Sequence, residues 1–147
     1  MEITIFVIIG ALIIFALTGY AVYLLLALQK QKKALQRARQ ARADRLKESI
    51  VIIAKAMQSG ECNHSEGVLR LKMLLEPLGK KLKEYQSMFA LYEVVIDMPT
   101  HEARRELKKN ERMKLDLRRE SAEADLEQKI KLELHQLLSD IETMWGK

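Results

Sequence analysis

From Ile3 to Leu28 the chain runs for 26 residues, ITIFVIIGALIIFALTGYAVYLLLAL, without Asp, Glu, Lys, Arg, His, Asn or Gln. The hydrocarbon core of a bilayer is crossed by about 20 apolar residues in a helix, so this stretch predicts a transmembrane helix. Its polar side chains are Thr4, Thr18, Tyr20 and Tyr23. A threonine hydroxyl can bond back to its own helix, so both threonines are tolerated in lipid. A cleaved signal peptide would need a basic leader, a shorter apolar core and a small-residue cleavage site. Only Met1 and Glu2 precede the run and a basic block follows it, so the run is expected to be retained as an anchor.

Eight bases follow within residues 29–47: Lys30, Lys32, Lys33, Arg37, Arg39, Arg42, Arg45 and Lys47, against one acid, Asp44. Bases beside a span stay cytoplasmic. The N-terminus is therefore expected outside and residues 29–147 inside, with Tyr20 and Tyr23 near the inner interface. The formal charge of +5 is local to this block. Residues 48–147 hold 17 bases and 18 acids, net −1. The excess is thus expected to meet anionic lipid headgroups, chiefly through Lys30, Lys32, Lys33, Arg37, Arg39 and Arg42. Nucleic acid is a disfavoured partner: neither this block nor the basic stretch 104–119 interleaves aromatics or carries a groove-reading motif.

The chain beyond the span suits helices. Two prolines and six glycines leave little for the turns of a β-rich fold. The division expected is a transmembrane anchor at 1–28, a basic juxtamembrane helix at 29–47 and a cytoplasmic helical domain at 48–147. Within the domain, helices are expected at about 46–58, 65–97 and 100–145. No Gly or Pro lies between Gln29 and Gln58, so the span should continue as one helix from Ile3 to about Gln58, about 84 Å at 1.5 Å per residue. Leu46, Ile50, Ile53 and Met57 start an apolar face that Ser59-Gly60 should stop. Asn63 or Ser65 can cap the next helix, with Glu66 in a box-like position.

The clearest periodicity is Val68, Leu71, Leu75, Leu78, Leu82, Tyr85, Phe89, Tyr92 and Ile96, spaced alternately three and four. It predicts one packing stripe, kinked near Pro77 and Gly79, with its two halves roughly collinear. Asp97-Met98-Pro99 should end it and Thr100 should cap the last helix. That helix carries the stripe Leu126, Ile130, Leu134, Leu137, Ile141 and Met144. Its charges are sorted: residues 104–119 hold eight bases and three acids, and residues 120–142 hold two bases and seven acids. The fold class expected is all-α, the anchor continuing into a helical bundle or a long antiparallel hairpin.

Chemistry-bearing constellations are sparse. Cys62 is the single cysteine, as suits a reducing compartment. Cys62 and His64, with Glu61 and Glu66, form the one cluster with ligand-type residues, but a structural zinc site needs a second pair. Gly60 and Gly67 do not form a phosphate-binding loop. No catalytic, cofactor-binding or metal residue is assigned. The function expected is that of a non-enzymatic adaptor or scaffold binding a protein partner through helical faces, with a second copy as another candidate partner. The competing possibilities are a small enzyme or metal-dependent sensor centred on Cys62 and His64, and a membrane-tethered nucleic-acid binder.

The span with its basic arm, ESIVIIAKAM (48–57), ECNHSEGVLRLKMLL (61–75) and FALYEVVIDMPTHEARRELKKNERM (89–113) together resemble the bacterial DUF2489 family, a "domain of unknown function" group of short single-pass proteins. The resemblance covers most of the chain and implies placement in a bacterial inner membrane. It brings no activity, ligand or site residue.

Overall fold

In the computed structural model, residues 1–145 are described. Among the described residues five α-helices follow one another: α1 (Glu2–Ser59), α2 (His64–Leu75), α3 (Gln86–Val95), α4 (His101–Glu106) and α5 (Lys109–Trp145). Short 3-10 turns at Glu76–Leu78 and Leu82–Glu84 join α2 to α3. No strand occurs among the described residues, so the fold is all-α. The chain forms two compact units, Met1–Arg42 and Ala43–Lys147.

The first unit is helical from Glu2 onward, long and apolar enough to cross a membrane. None of its most apolar window is buried by other parts of the protein. Thr4 donates its hydroxyl to Met1 O at 2.6 Å, and Thr18 donates to Ile14 O at 2.8 Å. Both polar groups are thus satisfied within the helix, as a lipid environment requires.

In the second unit, α1 ends at Ser59, where Gly60 takes φ +79°, a left-handed conformation cheap for glycine alone. Asn63 caps α2, its Oδ1 accepting from Ser65 N–H at 3.0 Å. Ser65 is buried and donates its hydroxyl to Glu123 on α5. Gly67 lies against Met57 of α1: a Cβ built there would overlap the buried thioether. The absent side chain is what lets the end of α1 approach α2.

The single helix expected over 65–97 is broken. Pro77 supplies no N–H and in a continued α-helix would clash with the carbonyl of Met73, four residues back, and Gly79 turns left-handed at φ +75°. Lys81 is extended, so the chain reverses. The halves are therefore not collinear: Lys72 of α2 sits 5.3 Å from the centre of the Tyr92 ring on α3, a pair about 30 Å apart on a straight helix. The reversal also resets the phase of the stripe. Leu71, Leu75, Leu82 and Tyr85 are buried and Leu78 partly so, but on α3 the core takes Met88, Leu91 and Val95. Phe89 and Tyr92 fall to the core's margin, where they stack with ring centres 6.0 Å apart, and Ile96 is exposed.

The expected helix over 100–145 is likewise interrupted. Leu107 is extended at ψ 143° and separates α4 from α5. Lys108 precedes α5, and Glu111 accepts its backbone N–H at 3.1 Å, half of a capping box. The break brings Arg104 onto Asp116 with two hydrogen bonds, 2.8 and 2.7 Å, across 12 residues that a continuous helix would hold about 18 Å apart. Thr100 stands at the cap position of α4 without a side-chain cap bond. Beyond the break, α5 buries Ile130, Leu134, Leu137 and Ile141 against α3 and α2, with Leu126 partly covered and Met144 exposed. Ile50, Ala54 and Met57 of α1 complete the core.

Candidate functional site

Ser59-Gly60 and the Asn63 cap fix both ends of the loop that carries Cys62, and the Cys62 N–H donates to Ala56 O at 3.0 Å. The middle of α5 passes beside this loop. Glu120, Glu123 and Glu127, spaced three and four, face it together. With Glu61, Cys62 and His64 they line an open groove of about 600 Å³. Sequence spacing missed these three carboxylates, because 56 or more residues separate them from His64 and only the packing of α2 on α5 joins them.

The three α5 carboxylates of the groove are already engaged, Glu120 with Arg119 at 3.9 Å. Glu123 accepts from Ser65, and Glu127 accepts from Lys131 at 2.7 Å, a bond that holds its carboxyl below the usual range. Partial burial pushes the Cys62 thiol up, and the Glu66 charge pushes it further. The shift runs against the activation that a catalytic thiolate needs. His64 Nε2 is shielded and lacks a hydrogen-bond partner among the described residues. No group of three or more His, Cys, Asp or Glu is placed to hold a metal ion among the described residues. What the loop and α5 offer is an acidic surface groove.

On the other side of the α2 N-terminus lies a cleft of about 510 Å³. Leu69, Val95, Met98 and Pro99 give it apolar walls, and Arg104, Asp116 and Arg119 give it charge. The Arg104 bonds hold the Asp116 carboxyl below the usual range, and Arg119 approaches the same carboxylate at 3.9 Å. Two guanidinium groups thus share the one Asp116 carboxylate. His101, at the rim, has φ 49°, a left-handed backbone seldom adopted by a residue with a side chain.

The basic residues Lys30, Lys32, Lys33, Arg37, Arg39 and Arg42 all lie on α1 and are exposed. Lys30 and Lys33 border a shallow surface shared with Tyr23, Leu26 and Ala27, so base, aromatic ring and aliphatic side chains sit side by side, as at a headgroup boundary. In the helical unit several large apolar side chains also face solvent: Met73, Ile96, Met113, Leu117 and Leu132.

The family model described as "Protein of unknown function (DUF2489)" matches residues 14–137. A Haemophilus influenzae protein titled "Uncharacterized protein" is 57% identical over 140 residues, covering 95% of this chain and 96% of its own length. No solved structure matches the chain.

Proposed function

The chain belongs to the DUF2489 family of proteins of unknown function, and from that premise we propose that it is a single-pass anchor in a bacterial inner membrane whose helical unit acts as a non-enzymatic adaptor or scaffold for a protein partner. The observation that carries the membrane half of this proposal is the exposed run Ile3–Leu28. Its Ile, Leu, Val and Phe side chains have no protein cover, and each would cost about 1.5–3 kcal/mol to leave in water. A bilayer removes that cost. The bases that follow the run support an orientation with the N-terminus outside and the helical unit in the cytoplasm, the basic block itself meeting anionic lipid.

The adaptor half is supported by Met73, Ile96, Met113 and Leu117, large apolar groups standing on helical faces outside a fully formed core. The sorted basic and acidic halves of the 100–145 region add a means of selecting a partner by charge. Photo-crosslinking residues placed singly at Met73, Ile96, Met113 and Leu117 in native membranes test it. Discrete adducts with a protein at one or more of these positions, and none at exposed Gln36, are expected. Adducts at no position in the helical unit would remove the adaptor role.

A further inference from the structure

The outward side of α5 carries an unusual line of residues. Sixteen of its 37 residues are charged, yet the exposed line opposite the core is almost free of charge. It reads Lys114, Leu117, Ser121, Ala124, Gln128, Leu132, His135, Ser139 and Glu142, and every position is exposed. From Leu117 to Ser139 it holds no Asp, Glu, Lys or Arg, and it presents Leu117 at 69% and Leu132 at 71% exposure. A solvated helix face gains nothing from exposed leucines among uncharged neighbours; a face that packs on another helix does.

The steps along this line are 3, 4, 3, 4, 4, 3, 4 and 3, the same in either direction from Gln128. The line therefore superposes on its own reverse. We infer that α5 is a homotypic interface, pairing antiparallel with α5 of a second copy about Gln128. Leu132 then packs on the partner copy's small Ala124, and Lys114 reaches the partner copy's Glu142, each contact formed twice by symmetry. Reversal also sets residues 114–119 of one copy, with three bases and one acid, beside residues 137–142 of the other, with two acids and no base. Parallel pairing would instead oppose Lys114 to Lys114 and Glu142 to Glu142, which is repulsive. The inference rests on the proposal that the helical unit binds another protein, and it names that protein as a second copy of this chain.

The full chain in native membranes tests this by disulfide formation, in a Cys62→Ser background. Gln128→Cys lies on the two-fold and should link two copies under mild oxidation. Leu117→Cys alone should not, since its copies lie about 33 Å apart (22 residues at 1.5 Å) in the antiparallel pair. Leu117→Cys combined with Ser139→Cys should link. Lys114→Glu should lower the yield of the Gln128→Cys dimer about tenfold, and Lys114→Glu with Glu142→Lys should restore it. A dimer from Leu117→Cys alone, or no dimer from Gln128→Cys, overturns the inference. Foreign-protein adducts persisting in the photo-crosslinking scan would leave the adaptor proposal standing without it.

Discussion

Gly67 and Met57 are the contact on which the approach of α1 to α2 depends. A methyl group at position 67 overlaps the Met57 thioether, itself fully buried, so Gly67→Ala forces the core to shift. The variant should lose about 1–3 kcal/mol in chemical denaturation of the full chain in detergent. Adding Met57→Ala should cost less than the sum of the two single changes, because the space one takes the other vacates. Tyr85 makes a second residue-scale prediction. It donates to Asp140 Oδ2 at 2.6 Å; burial and that bond push the Tyr85 hydroxyl up, and the bond holds the Asp140 carboxyl down. The lowered Asp140 stabilises above its unfolded value, and this contribution fades as pH falls through its folded value. The raised Tyr85 stabilises in full below the ordinary tyrosine value of 10.0 and loses its contribution as pH rises beyond it. Tyr85→Phe should therefore cost about 1 kcal/mol near neutrality, and its deficit should narrow at both ends of a pH series. The threonine back-bonds and a cap at Asn63 or Ser65 were legible in the sequence because each is local. The Tyr85–Asp140 bond spans 55 residues and was not.

At the level of elements, the break at Pro77–Gly79 decides which face of α3 is inward. Leu91→Ala should cost about 2–5 kcal/mol, as a fully buried side chain does, whereas Ile96→Ala should stay within about 0.5 kcal/mol. The heptad spacing predicts the reverse for Ile96, since a stripe that kept phase through Pro77 would bury it. Pro77 and Gly79 marked the place of the disruption, but its size was hidden: whether a proline kinks a helix or reverses the chain depends on what packs beyond it. The break at Leu107 had no Gly or Pro to announce it. It follows from a tertiary pair, Arg104 with Asp116, and from the backbone of Lys108 bonding Glu111. By contrast, the stripe Ile130, Leu134, Leu137 and Ile141 was readable from spacing alone, because nothing interrupts α5 there. The same holds for α1, which continues to Ser59 without a break. The acidic groove beside Cys62 was half visible: its loop residues are contiguous, and its α5 carboxylates come from packing.

For the whole molecule, the proposed topology rests on the charge next to the apolar run. Replacing Lys30, Lys32, Lys33, Arg37, Arg39 and Arg42 with glutamine while placing lysines ahead of Ile3 should invert a substantial share of the molecules, read by reporter fusions at the C-terminus. In the proposed topology Ile3–Leu28 spans the membrane and the helical unit lies in the cytoplasm. Cys62, the single cysteine, reports on it directly. With a charged, membrane-impermeant maleimide, the protein should remain in the membrane fraction, and Cys62 should label in inverted inner-membrane vesicles but not in intact spheroplasts. Labelling in spheroplasts, or recovery of the protein in the soluble fraction, would contradict it.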